Sequence, residues 1–255
     1  IVNSNDANHK PLSAVYGADI SSTSDLTTLT NLNTFSNYKV TACISQDGAA
    51  LGAKLFKHTG KSITTVGNLL GTISAAAVNE SVEWIGKFDT TDGTELDTPA
   101  FANGTLVRDC AQSLLDLLDS YGYVFLIKRV GLSNTNYNSS RTCVISTSDY
   151  AFIENNRTID KAIRGIYVGV LPDLGSPLTL NADGTLTNET ISHFQSLAEA
   201  PLNQMQRDNE ISAMAVTIDP TQDVLGTNLL VIAVELVPVG VARNIKVNIG
   251  FAVSV

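Results

Sequence analysis

The sequence predicts a mixed α/β and α+β chain: an N-terminal α/β layer, then a C-terminal α+β region with a strand at its C-terminal end. Three observations predict it. Strand-like and helix-like runs alternate through the first half, from Tyr38–Gln46 to Tyr123–Lys128. Two long amphipathic helices follow, at Asn155–Val170 and Glu189–Asp208. After them come three strand runs, Ile211–Asp219, Leu229–Pro238 and Arg243–Val253. In the last run Ile245, Val247, Ile249, Phe251 and Val253 alternate with Lys246, Asn248, Gly250, Ala252 and Ser254. That period of two buries one face and offers the other to water or another chain. A strand closing a chain has an edge that must be covered, blunted or shared. The pattern places function in assembly rather than in chemistry.

Taken in order, residues 1–37 are rich in Ser, Thr and Asn and read as a connector, with a short strand candidate at Ala14–Ile20. Residues 38–135 form the α/β part. Its strand Tyr38–Gln46 ends at Asp47-Gly48, and Ala49–Phe56 turns helical. A second helix runs through Val66–Val78, with Leu69, Leu70, Ile73 and Ala77 at core spacing; Gly67 and Gly71 weaken it or admit a close backbone. The clearest helix is Leu106–Tyr121, whose stripe of Leu106, Cys110, Leu114, Leu117, Leu118 and Tyr121 stops at Gly122. Tyr123–Lys128 is then a buried strand.

Residues 136–255 form the α+β part. Gly131–Arg141 reads as a polar loop and Thr142–Ser146 as a strand. The helix Asn155–Val170 turns Ile159, Ala162, Ile163, Ile166 and Tyr167 one way and Arg157, Lys161 and Arg164 the other. In the helix from Glu189, Pro201 is expected to bend or split the element.

Composition narrows the function classes. Of 255 residues, 25 are acidic and 16 basic, a net charge of −9 that argues against a nucleic-acid surface. No run approaches the roughly eighteen apolar residues of a membrane span. Cys43, Cys110 and Cys143 are scattered and read as free, buried thiols. Trp84 reads as a core residue.

Catalytic patterns are thin, and no cofactor or metal is expected. Thr59-Gly60-Lys61-Ser62 resembles the end of a phosphate loop, but Leu55 stands where the first glycine belongs. Asp89, Asp92, Glu95 and Asp97 crowd one turn without the spacing of a calcium loop. The competing reading is an α/β enzyme with a phosphate or metal site at Thr59–Ser62 and Asp89–Asp92. His9, His58 and His193 form no ligand pair. The basic step Arg157, Lys161, Arg164 is either a solvated face or a docking surface for an acidic partner.

Three runs resemble the C-terminal part of contractile phage tail sheath proteins, above all the prophage sheath-like family formerly of unknown function. They are Glu154-Asn-Asn-Arg-Thr-Ile-Asp-Lys-Ala-Ile-Arg164, Ile218-Asp-Pro-Thr-Gln-Asp-Val-Leu225 and Val237-Pro-Val-Gly-Val-Ala-Arg-Asn-Ile-Lys-Val247. Glu80–Trp84, Glu95–Gly104 and Tyr121–Leu126 are similar too, so the resemblance spans residues 38–255. It implies that 136–255 is the α+β sheath core of a subunit that polymerises as a homo-oligomer of stacked hexameric rings around an inner tail tube. Baseplate and tail terminator proteins would bound the stack, with the virion tail or the assembling bacterial cytoplasm as location. Contraction would be rigid-body rearrangement without nucleotide. Strand donation would use Ile245, Val247, Ile249, Phe251 and Val253 as the subunit interface, with Arg157, Lys161 and Arg164 as candidate tube-facing residues. Another tail or injection-particle component is the remaining alternative. Sheath subunits of this kind carry an N-terminal arm and a further domain ahead of the matched region, so a longer parent protein is expected.

Overall fold

The computed structural model describes residues 11–91 and 93–246. Asp92, Val247, Ile249, Phe251 and Val253 lie outside the described residues. Helices and strands are mixed along the chain, as predicted.

The first part is built on a parallel sheet. Strand β1 (Ala14–Gly17) pairs with β2 (Val40–Cys43). The chain runs on through β3 (Ser45–Asp47), helices α1 (Leu51–Thr59) and α2 (Val66–Ala75), β4 (Pro99–Phe101) and α3 (Gln112–Ser120). It then returns as β5 (Tyr123–Val124), parallel to β2. Side chains alternate across this sheet as the pleat requires. Ala42, Ile44, Tyr123 and Phe125 enter one core with Leu118 of α3. Cys43, Val124 and Leu126 enter another with Leu69 of α2. Both faces of β2 and β5 are therefore dry, which is why these strands read as continuous apolar runs.

Several expectations need correction here. Ile20, Leu26 and Leu32 of the supposed connector are core residues, and Ala14–Gly17 is a sheet strand. The predicted strand at 123–128 breaks at Phe125, whose N–H donates to Asn138 Oδ1 at 2.8 Å. Its second piece is β6 (Leu126–Lys128), antiparallel to β7 (Thr135–Tyr137), in the run read as a polar loop. Thr135 and Asn136 are buried there against the 88–90 segment: the Thr135 carbonyl accepts from Thr90, and Asn136 Nδ2 donates to the Phe88 carbonyl, while the Thr135 hydroxyl has no partner among the described residues. Cys143 makes only an isolated bridge to Asn37, so 142–146 is not a strand. Gly122, at φ +90°, stops α3 as expected. Leu70 is 45% exposed, and Ala76 rather than Ala77 is buried. Trp84 is half exposed, with Lys87 Nζ 5.4 Å from its ring centroid.

The second part stacks an antiparallel hairpin on two helices. Helix α4 (Ile153–Val170) packs against α5 (Asn188–Arg207). Pro201 neither splits nor ends α5; the helix runs through it. Strands β8 (Ile211–Thr217) and β9 (Ala233–Pro238) pair antiparallel. Ala162 of α4, Ala198, Leu202 and Met205 of α5, and Ile211 and Val216 of β8 form the third core.

The N-terminal half of α4 is buried on its polar side, contrary to the predicted apolar face. Glu154, Asn156, Thr158 and Asp160 are buried while Ile163 and Tyr167 are about two-fifths exposed. The cause lies in partners far away in sequence. Lys39, 4% exposed, pairs with Asp160, and Arg243 pairs with Glu154. This half of α4 joins the two parts of the chain.

Candidate functional site: an open hairpin and its outgoing segment

The β8–β9 hairpin turns Met214, Val216, Val234 and Leu236 toward the helices. Ala213, Ala215, Thr217, Ala233, Glu235 and Val237 are exposed on its other face. Among the described residues its sheet has two strands. A two-stranded sheet exposes an unpaired edge on each side, the template that a further strand completes. The two edges differ. Gln195 Nε2 of α5 donates to the Val216 carbonyl at 2.9 Å, and Gln206 Nε2 to the Ser212 carbonyl at 3.3 Å. Two β8 carbonyls are thus occupied by helix side chains, which leaves β9 the more open strand.

After Pro238 the chain leaves the hairpin. Gly240, Val241, Ala242, Asn244, Ile245 and Lys246 are exposed, with Ile245 at 82%. Residues 241–246 form no strand, so the strand predicted from Arg243 is absent over its described start, and the interface residues Val247, Ile249, Phe251 and Val253 fall outside the described residues. Arg243 is held. Its two terminal nitrogens meet Glu83 and Glu154, and its Cζ lies 3.5 Å from the Phe152 ring centroid. Burial draws its guanidinium down to about 10, still protonated at neutral pH.

The three basic residues of α4 have different surroundings. Arg157 donates to the Ala77 and Ala76 carbonyls at 2.9 and 3.0 Å, satisfying the C-terminal end of α2. Lys161 Nζ meets both carboxylate oxygens of Glu210, at 2.6 and 2.5 Å. Arg164 is exposed.

The residues of the competing enzyme reading serve local structure. Gly60, at φ +65°, caps α1, and the Thr59 hydroxyl donates to the Leu55 carbonyl. Ser62 Oγ donates to the Ala102 carbonyl at 2.6 Å. Asp89 Oδ1 accepts from the Thr91 amide and hydroxyl. Among the described residues no group of three His, Cys, Asp or Glu side chains is placed to hold a metal, and no helix is long and apolar enough to cross a membrane. A cleft of about 1030 Å³ carries charges of both signs; in it Lys128 meets Asp97 at 2.6 Å, and the neutral amide of Asn138 donates to Asp119 at 2.7 Å.

Sequence reasoning missed Arg243. Its one available signal was an arginine interrupting an otherwise apolar run after a Pro-Val-Gly turn.

Residues 149–255 match the family described as DUF2586, C-terminal domain. No curated protein matches the chain. Among solved structures it is similar to the helical sheath of the anti-feeding prophage (AFP) in its contracted state, with TM-score 0.63 and 14% identity over 98% of this chain and 64% of that one. It is also similar to the sheath complex of an extracellular contractile injection system, PVC, in its contracted state (TM-score 0.59, 12% identity, 96% and 65% covered). A third is the sheath tail protein of Desulfitobacterium hafniense (TM-score 0.50, 12% identity, 92% and 51% covered). At such identities the likeness is one of fold: the chain has the fold of contractile sheath proteins. It spans between about half and just under two thirds of their lengths.

Proposed function

We propose that this chain is a structural subunit of a contractile sheath, polymerising with copies of itself around an inner tube and carrying no catalytic site. The observation that carries the reading is the fold shared over 98% of the chain with the AFP sheath. The β8–β9 hairpin supports it, being two-stranded among the described residues, with room there for a further strand along β9. The donated strand is the C-terminal run containing Ile245, Val247, Ile249, Phe251 and Val253, set on the hairpin of a neighbouring copy. Main-chain hydrogen bonds give such a joint strength, and alternate side chains give it register. Hinging there while the packed cores move as rigid bodies allows contraction without nucleotide. Stacked hexameric rings, a baseplate and a tail terminator complete the proposed particle. On α4, Arg164 is the exposed member of the basic step and the proposed contact to the tube.

Negative-stain microscopy of the full-length protein tests the class; hollow striated cylinders are expected, and dispersed monomers at high concentration oppose it. Deleting Asn244–Val255 should abolish polymers while the far-UV circular dichroism and thermal transition persist. Unchanged assembly after that deletion removes strand donation from the mechanism.

A further inference from the structure

We infer that Glu83, Glu154, Ser140 and Phe152 form a guanidinium-binding socket whose ligand is the chain's own Arg243, making residues 240–246 after β9 a strap held through that side chain. The socket belongs to other parts of the chain. Glu83 follows α2, Ser140 follows β7, and Phe152 and Glu154 open α4. Each wall suits one feature of a guanidinium. The two carboxylates take one terminal nitrogen each, Ser140 Oγ lies 3.5 Å from Nη1, and the Phe152 ring faces the planar cation at 3.5 Å. A lysine, with one compact charge and no plane, would reach only part of this.

Two further observations show that the socket requires its ligand. The Glu154 side chain is only 2% exposed, and its Oε2 has no hydrogen-bond partner. Without Arg243 a buried carboxylate would face a second carboxylate, Glu83, a strongly unfavourable arrangement. From Gly240 to Lys246, every residue except Arg243 is exposed. This side chain therefore fixes where the outgoing segment leaves the body, while its described neighbours on either side are exposed. The inference concerns contacts within one chain and holds whether or not the protein forms a sheath.

Trypsin provides the test, because it must draw a basic side chain into its own pocket to cut. Arg243 and Lys246 stand three residues apart on one exposed segment, one side chain socketed and the other in solvent. In the native full chain, cleavage after Arg243 relative to Lys246 should be at least roughly tenfold lower than in a free peptide of the same segment, given the strength of charged hydrogen bonds. Mass spectrometry of early digestion products reads the ratio. A native ratio equal to the peptide's overturns the socket. The variant E83Q should move the ratio toward the peptide value, and an unmoved ratio counts equally against it. Arg243→Ala adds a binding readout: millimolar guanidinium chloride, but not sodium chloride, should raise its thermal midpoint, whereas the unsubstituted protein should show no such gain. No selective gain in a folded Arg243→Ala variant also overturns the assignment.

Discussion

Gly169 of α4 lies so close to Leu197 of α5 that a Cβ built on it would stand 2.9 Å from the Leu197 carbonyl oxygen. One turn earlier, a Cβ on Gly165 would stand 2.8 Å from the Pro201 Cβ. These contacts are related. Pro201 has no N–H, so the Leu197 carbonyl four residues before it lacks its usual helical donor. The two glycines let the backbone of α4 come up against this interrupted turn.

Gly169→Ala should therefore destabilise the protein by about 1–3 kcal/mol, the ordinary cost of overpacking a closed contact, because a backbone oxygen cannot rotate aside. Gly71→Ala is the matched control. Nothing lies within 4 Å of a Cβ there, and its helix is better formed by alanine, so a gain of about 0.4–1 kcal/mol is expected. Urea unfolding of both variants should give shifts of opposite sign.

The Lys39–Asp160 pair is nearly inaccessible, with side chains 4% and 9% exposed. Removing one partner leaves an uncompensated buried charge, so Lys39→Met alone should cost about 3–5 kcal/mol. Replacing both, as Lys39→Met with Asp160→Leu, should recover most of that loss. A double variant no better than the single one would show that the pair has structural partners beyond each other.

Much of the first part was legible in the sequence. The β2 and β5 runs are apolar on both faces because both faces are covered, and Gly122 marks the end of α3 where only positive φ closes the turn. The strand β7 was not legible, since Thr135 and Asn136 look like loop residues until Thr90 and Phe88 are seen beside them. The same holds for α4. Periodicity alone cannot tell a polar face bound for solvent from one bound for Lys39 and Arg243, which lie 121 and 89 residues away. Of the candidate site, the hairpin strands were readable as strand runs at 211–219 and 229–238, and the asymmetry of its edges was not. That asymmetry depends on two glutamines of α5.

The cysteines should separate by accessibility. Cys43 and Cys143 are 0% and 4% exposed, while Cys110 is partly exposed. A maleimide should label Cys110 in the native protein and all three thiols only after unfolding. Burial pushes the Cys143 thiol up to about 11. A thiol raised in this way keeps its proton in the folded chain where the unfolded chain has lost it. Its contribution to stability is present below the ordinary value of 9.0 and is lost as pH rises from there to about 11. Cys143→Ala should therefore flatten the loss of stability over that window, as read from thermal midpoints.

The basic step on α4 gives the sharpest separation of structural from docking roles. Arg157 satisfies two carbonyls at the end of α2 with both arms of its fork, so Arg157→Ala should cost about 1.5–3 kcal/mol, and Arg157→Lys should recover only part of it. Lys161→Ala removes a partner from Glu210 at a half-open site, where about 1 kcal/mol or less is expected. Arg164→Glu meets solvent and should leave the unfolding transition within about 0.5 kcal/mol of the starting protein. If Arg164 contacts an acidic tube surface, the same substitution should weaken co-sedimentation with assembled tubes, and added salt should mimic it. A variant with unchanged stability and unchanged tube binding would remove Arg164 from the proposed contact. The roles of Arg157 and Lys161 inside the fold would stand.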